Sequence, residues 1–338
     1  MSSEQGRFRH SEGYRLDYLV DVPDRPASPY LHVFCHGLSR IESQVPPVFA
    51  RRAWARTLDA ACLFLSDPIH RLTPDSACGW YLLGEDEFLP QVHALQAELL
   101  HRHGLSGTVW HGLSSGGYAA IKYLVRSGRD GLAFVVSPHN DPAVLPQWEQ
   151  EARPWSGLPS MAAPRPTVDL LADWGAGGAR HRLHALVSEL DSYYALEHLR
   201  PIMRAFDGDD RARAVLLRNG RGHGFIADAD YGSQLRTALD DWERGAVGPV
   251  EVELSAPLAR FTGNLRHFTV EGGALPQVLN GIRTRFPDLA RHVFDSSGRP
   301  LPFVNLYVDD ADVRSLRSFD TVLPSGTRML IMSAVAGG

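Results

Sequence analysis

The residues whose types and spacing could support chemistry gather around Ser114. Residues 108–117 read Thr-Val-Trp-His-Gly-Leu-Ser-Ser-Gly-Gly, and positions 112–116 match the pattern G-x-S-x-G. An apolar run precedes the pattern and a helix-like one follows it, which predicts a tight turn from a strand into a helix. Such a turn presents Ser114 as a nucleophile at a helix N-terminus, where developing negative charge is stabilised. The alternative interpretation is an ordinary glycine-rich turn.

An acid and a base follow Ser114 in the chain order that a nucleophilic triad on such a turn requires. Asp191 and His223 each come shortly after an apolar run that predicts a strand. His223 would take the serine proton as general base, and Asp191 would hold its imidazole in the right tautomer. Glu189 is a rival acid two residues earlier, and Asp141, after the preceding strand, is a weaker one.

Two backbone N–H groups are expected to form an oxyanion hole. One donor is the N–H of Ser115, directly after the nucleophile. The other is expected from the loop after an early strand, 34–39, where Gly37 allows a close approach and Leu38 is the favoured donor. His36 either lines the pocket or caps this turn. No His, Cys and Asp cluster has metal-ligand spacing, so a metal is not implied. We also expect no cofactor bound by this chain.

The elements that must position these residues occupy the first 245 residues. Helix-like stretches separate the apolar runs, which predicts βαβ units and a mostly parallel sheet. The runs fall at 16–22, 31–35, 61–65, 108–110, 132–136, 183–187 and 215–217. The interval of about 138–182 is too long for a simple crossover, and it carries Trp148, Trp155 and Trp174. It is interpreted as a cap insertion over a pocket; the alternative is a surface excursion with its own small core.

A second domain is expected at 250–338, after a short linker at 246–249 that is rich in glycine and proline. Its sequence alternates apolar and polar residues in two strands, continues in an amphipathic helix that Pro287 ends or kinks, and closes with further strands. This order predicts a small α+β unit in which a mixed sheet wraps on one helix.

The sequence ends in Gly337 and Gly338 after an apolar strand. Glycine has no side chain and accepts any backbone angle, so such an end can enter another protein's active site as a thin thread. There its carboxylate could be activated as an acyl adenylate and converted to a thiocarboxylate. The alternative is a frayed end without function.

Residues 10–245 resemble the α/β-hydrolase superfamily through the pattern around Ser114 and the later Asp191 and His223. The resemblance implies a doubly wound, mostly parallel sheet with a cap insertion. It also implies a serine-dependent acyl hydrolase or acyltransferase that acts on a small acyl substrate selected by the cap. The loop around Gly37 departs from the lipase pattern because it lacks an HGGG string.

Residues 250–338 resemble the small subunit of molybdopterin synthase and the thiamine-pathway sulfur carrier. The residues that carry the resemblance are 299–314, Arg-Pro-Leu-Pro-Phe-Val-Asn-Leu-Tyr-Val-Asp-Asp-Ala-Asp-Val-Arg, and the closing Ala-Val-Ala-Gly-Gly. It implies a ubiquitin-like β-grasp domain whose Gly338 carries sulfur as a thiocarboxylate. It also implies three partners: a ubiquitin-activating-like adenylyltransferase that uses ATP, a sulfur donor and an acceptor enzyme. The acceptor pathway stays open among molybdopterin, thiamine, cysteine and specialised metabolites.

Composition narrows the remaining classes of function. The chain has 338 residues, 34 basic and 39 acidic, with a net charge of -5, so nucleic-acid binding is not expected. We expect no membrane span, no signal peptide at the polar start and a cytoplasmic location. Cys35, Cys62 and Cys78 form neither a disulfide framework nor a metal pattern.

Three hypotheses follow from the sequence. The first is a serine hydrolase fused to a sulfur carrier. The second is an intracellular esterase with a β-grasp interaction module. The third is a sulfur carrier on a catalytically inert hydrolase scaffold.

Overall fold

The computed structural model describes residues 2–39, 46–72, 76–176, 179–206, 211–218, 220–224, 226–246, 249–309, 311–315, 322–323 and 327–333. The chain forms two compact units, Met1–Leu239 and Asp240–Gly338. The predicted domain bounds, including the linker at 246–249, stay predictions. Gly337 and Gly338 lie outside the described residues.

The first unit is built on an eight-stranded sheet of order β1-β2-β4-β3-β5-β6-β7-β8. Its strands are β1 (Ser2–Arg9), β2 (Arg15–Val22), β3 (Tyr30–Cys35), β4 (Ala61–Leu65), β5 (Gly107–Leu113), β6 (Gly131–Val136), β7 (His181–Ser188) and β8 (Ala212–Leu217). β1 and β2 are antiparallel to their neighbours, and the pairs from β4 to β8 are parallel. β1 was not predicted from the sequence, because its residues are polar and largely exposed.

Helices cover both faces of this sheet. They are α1 (Arg52–Ala55), α2 (Ile69–Leu72), α3 (Glu85–His103), α4 (Ser115–Ser127), α5 (Thr167–Leu170), α6 (Arg200–Phe206) and α7 (Asp228–Ala246). Successive strand residues point to opposite faces. Accordingly Val33 packs in the core that α3, α4 and α6 cover, whereas Phe34 packs in the core beside α1. The predicted doubly wound, mostly parallel sheet is confirmed.

The interval between β6 and β7 consists of short helical turns. Trp148 packs against Trp80 with ring centroids 5.9 Å apart, in a small apolar cluster beside the main core. Trp174 instead packs on Phe206 and His181. Trp148 thus belongs to the small cluster and Trp174 to the edge of the main core, and the cap over a pocket stays a prediction.

The second unit holds a five-stranded mixed sheet of order β10-β9-β15-β12-β13, in which β15 runs parallel to β9. Its elements are β9 (Val250–Leu254), α8 (Ala256–Ala259), β10 (His267–Val270), β11 (Gly273–Ala274), α9 (Leu275–Arg285), α10 (Pro287–Val293), β12 (Val304–Val308), β13 (Ala311–Asp312), β14 (Val322–Leu323) and β15 (Arg328–Ser333). α9 buries Val278 and Ile282 in the core of this unit. The predicted α+β unit is confirmed, with Pro287 opening a separate helix.

Within the described residues, no helix combines the length and the apolar character that crossing a membrane requires.

Candidate active site

Ser114 lies on the strained turn that joins β5 to α4. Its backbone has φ 55° and ψ -118°, in the region that non-glycine residues avoid. The flanking glycines are sterically required. A Cβ on Gly112 would lie 2.1 Å from the carbonyl oxygen of Gly116, and one on Gly116 would lie 2.3 Å from that of Cys35. The G-x-S-x-G pattern therefore lets the turn pack between β3 and α4 with the serine projecting from it.

The structure brings the predicted acid and base together with Ser114. His223 Nε2 is 2.9 Å from Ser114 Oγ, and His223 Nδ1 is 2.8 Å from Asp191 Oδ2. A carboxylate only accepts hydrogen bonds, so Nδ1 carries a proton and Nε2 accepts from the serine hydroxyl. Ser137 Oγ also donates to Asp191 Oδ2, at 2.7 Å. Asp191 is buried and directed at the imidazole by both donors.

The two rival acids have other partners. The exposed Glu189 accepts a hydrogen bond from the Gly220 N–H at 3.4 Å. Asp141 accepts from the Ala143 N–H at 2.9 Å and caps the short helical turn that begins at residue 142. The geometry thus favours Asp191 as the acid that faces the base.

A second histidine, which was not predicted from the sequence, also contacts the serine. His139 Nε2 is 2.9 Å from Ser114 Oγ, and the indole Nε1 of Trp80 donates to His139 Nδ1 at 2.8 Å. Burial, with His198 and His223 nearby, lowers the pKa of His139 well below its usual 6.5. The imidazole of His139 is therefore neutral at physiological pH. The signal available in the sequence was its position just after β6, the strand beside β5.

A buried lysine holds the segment that carries Trp80. Trp80 and Tyr81 both have positive φ, 51° and 55°. The Lys122 ammonium donates to their carbonyl oxygens at 3.3 and 3.1 Å and pairs with Glu85 at 2.6 Å. Because a buried ammonium needs such partners, Lys122 couples the strained segment to α4. This coupling fixes Trp80 against the site.

The loop after β3 approaches the nucleophile as predicted. A Cβ on Gly37 would lie 2.5 Å from the carbonyl oxygen of Leu113, and Leu38 lines the pocket above Ser114. Ser115 opens α4, where backbone N–H groups have no intrahelical acceptor. His36 Nδ1 donates to the Gly37 carbonyl at 2.6 Å, and its Nε2 accepts from a backbone N–H of residue 67 at 2.9 Å. His36 thereby stabilises the loop.

The pocket at Ser114 has a volume of about 310 Å³. Leu38, Cys78, Trp80, Leu113, Ser114, Ser115, His139, Gln147, Tyr194, His223 and Gly224 line it. Tyr194 stacks on the His223 imidazole, with ring centroids 3.8 Å apart. Burial raises the pKa of the Cys78 thiol well above its usual 9.0, so this cysteine is not a competing thiolate. The pocket thus combines apolar walls with one reactive hydroxyl.

His111, three residues before Ser114, takes part in a different network. Its Nε2 is 2.9 Å from His32 Nδ1, and its Nδ1 is 2.8 Å from the Tyr231 hydroxyl. The three cysteines are free and buried. Among the residues that the structure describes, no group of three His, Cys, Asp or Glu side chains is placed to hold a metal ion.

A serine on a strand–turn–helix elbow of a mostly parallel sheet, with side chains from the ends of later strands converging on it, defines the α/β-hydrolase fold of the first unit. The second unit is a β-grasp domain. No protein-family model matches the chain.

Comparison with known proteins identifies relatives of the β-grasp part. The sulfur carrier protein CysO of Mycobacterium tuberculosis is 31% identical over 91 residues, which are 26% of this chain and 98% of CysO. CysO in the solved BexX/CysO complex of Amycolatopsis orientalis is 25% identical, with a TM-score of 0.25, over 26% of this chain and 99% of that one. Through this part, the chain belongs to the CysO family of β-grasp sulfur carriers.

A solved structure similar to the larger part is the S-formylglutathione hydrolase of Agrobacterium tumefaciens. It is 16% identical, with a TM-score of 0.45, over 72% of this chain and 95% of the hydrolase.

Proposed function

We propose that this chain is bifunctional, a serine hydrolase joined to a sulfur carrier. The observation that carries the first half is the hydrogen-bond chain from Ser114 Oγ through His223 to Asp191, with lengths of 2.9 and 2.8 Å, on a strained elbow. The similarity to CysO over 98% of that protein, together with the terminal diglycine, supports the second half.

Hydrolysis begins when Ser114 Oγ attacks the carbonyl carbon of an ester or thioester and gives its proton to His223 Nε2. Asp191 stabilises the imidazolium that forms. The backbone N–H groups of Ser115 and Leu38 donate to the oxyanion of the tetrahedral intermediate. The intermediate collapses, the leaving group takes the proton from His223, and water then releases the acid from the acyl-enzyme by the same route.

The pocket favours a small acyl group at Ser114. A volume of about 310 Å³ is at the lower end of the range for small-molecule sites. Among the residues that the structure describes, the buried Oε1 of Gln147 at this pocket has no hydrogen-bond partner. It is available to accept a hydrogen bond from a donor on the substrate.

Hydrolysis of short chromogenic acyl esters by the full chain tests this half. We expect turnover by the unchanged chain, labelling of Ser114 by a fluorophosphonate probe, and loss of both in Ser114→Ala. Folded chain that neither turns over esters nor takes the label would favour the inert scaffold and contradict the hydrolase assignment.

The sulfur-carrier half requires a partner. An adenylyltransferase of the ubiquitin-activating type would join the Gly338 carboxylate to AMP from ATP, releasing pyrophosphate. A sulfur donor would then displace AMP and leave a thiocarboxylate, which an acceptor enzyme consumes. The partner binds and uses the ATP, so no cofactor is assigned to this chain.

Intact-mass analysis after incubation with such an adenylyltransferase, ATP and sulfide tests this half. We expect the mass increase of one oxygen-to-sulfur exchange, and none in a chain that lacks Gly337 and Gly338. The truncated chain should hydrolyse esters like the full chain. If an adenylyltransferase that supports sulfur loading of CysO leaves the full chain without sulfur, the result would favour an esterase with an interaction module.

A further inference from the structure

We infer that His139 is a second catalytic histidine, fixed as a hydrogen-bond donor to Ser114 Oγ, while His223 alone acts as the base. The inference rests on the proposed hydrolase function, which assigns Ser114 as the nucleophile. Ser114 Oγ lies 2.9 Å from the Nε2 atoms of both histidines.

The partner of each imidazole decides its tautomer. The Trp80 indole N–H only donates, so His139 Nδ1 must accept and carries no proton. The neutral ring then holds its proton on Nε2, which donates to Ser114 Oγ. The Asp191 carboxylate only accepts, so His223 holds its proton on Nδ1 and offers a lone pair at Nε2. The two rings therefore present opposite groups to the same oxygen.

The serine hydroxyl satisfies both contacts with its one proton. Its O–H donates to His223 Nε2, and its oxygen accepts the Nε2–H of His139. A reversed assignment would set the protonated Nδ1 of His139 against the Trp80 N–H, which leaves two buried donors facing each other. With both imidazoles neutral, the four contacts are consistent in only one way.

The donated hydrogen bond acts on the step that breaks the Ser114 O–H bond. As that proton moves to His223, negative charge develops on Oγ, and the His139 N–H stabilises it. His139 is 3% exposed, and Trp80 is fully buried and held in turn by Lys122. The donor is therefore in place before the reaction and costs no reorganisation.

The neutrality of His139 matters when His223 becomes an imidazolium. The two rings lie 6.3 Å apart between centroids. A second cation at that distance would oppose proton transfer to His223. A ring that stays neutral avoids this repulsion and still donates.

Two measurements test the inference: the rate at which a fluorophosphonate probe labels Ser114, and the position of the proton on the His139 ring. The second-order rate of fluorophosphonate attachment to Ser114 is measured in the full chain, His139→Phe, His139→Gln and Trp80→Phe. We expect a loss of about 10- to 10²-fold in His139→Phe, because the nucleophile loses a hydrogen bond that strengthens as Oγ gains charge. His139→Gln keeps an amide donor, so it should recover at least half of that loss on a logarithmic scale. In Trp80→Phe the tautomer is no longer fixed, and the rate should fall between those of the unchanged chain and His139→Phe.

A nitrogen-15 spectrum of the unchanged chain gives the second readout. We expect the protonated type of nitrogen at His139 Nε2 and the unprotonated type at Nδ1. A proton on Nδ1, or an unchanged labelling rate in folded His139→Phe, would overturn the inference. If the unchanged chain takes no label at all, the proposed hydrolase function fails, whereas the spectrum still tests the tautomer.

Discussion

Because two histidines are buried together in the first sheet, we expect the folded chain to lose stability in mild acid. His32 on β3 and His111 on β5 are joined at 2.9 Å, and both are about 1% exposed. Burial lowers the pKa of His32 to about 4, and burial beside His32 lowers that of His111 well below 6.5. Each folded imidazole therefore stays neutral where an unfolded one would take up a proton.

Proton linkage determines the direction and the size of the change in the free energy of unfolding with pH. Between pH 6.5 and about 4 the unfolded chain binds more protons at His32 than the folded chain, so the free energy of unfolding falls as the pH falls. Because one pKa unit corresponds to about 1.4 kcal/mol, His32 alone removes about 2 kcal/mol by about pH 5. Above the unfolded value near 6.5 its contribution is fully present.

Urea unfolding at about pH 7.5 and about pH 5 measures this effect. In His32→Gln, which keeps a hydrogen-bonding side chain but does not titrate, we expect the difference between the two pH values to shrink by about 2 kcal/mol. His101 is exposed on α3, and His101→Gln serves as the matched control. A pH dependence in His32→Gln equal to that of the unchanged chain would refute the assignment of a buried, neutral His32.

Two further predictions concern the site. Asp191→Asn should lower the kcat for ester hydrolysis by about 10⁴-fold, because an amide supports the wrong tautomer of His223. The matched Glu189→Gln should leave kcat/KM unchanged, and equal losses in both variants would speak against Asp191 as the orienting acid. Gly116→Ala should lower the free energy of unfolding by about 1–3 kcal/mol in urea titrations, because its Cβ would lie 2.3 Å from a carbonyl oxygen of β3. No described residue lies within 4 Å of such a Cβ on Gly157, so Gly157→Ala should unfold like the unchanged chain. A comparable loss there would contradict the steric explanation.

The elbow and its strands could be predicted because local sequence determines them. The glycines around Ser114 are required by contacts within a few residues and with the adjacent strand, and buried parallel strands such as β6 are continuous apolar runs. β1 escaped prediction because an exposed edge strand such as Ser2–Arg9 needs no apolar alternation. Its extended conformation is stabilised by antiparallel backbone pairing with β2 along the whole strand.

The choice of acid and the second histidine could not be predicted from local sequence. Glu189 and Asp191 lie in one short loop, and only its folded path decides which carboxylate meets His223. The importance of His139 depends on Trp80, which is 59 residues away in the chain and sits on a strained segment. Such long-range pairings leave no periodic or motif signal.

The most direct test of the account is one intact-mass measurement on the full chain treated with a fluorophosphonate probe and then with the adenylyltransferase, ATP and sulfide. The proposed bifunctional chain should give molecules that carry both changes, one phosphonyl adduct at Ser114 and one oxygen-to-sulfur exchange at Gly338. Folded chain that gains neither change, with a partner enzyme that charges CysO in parallel, would contradict it.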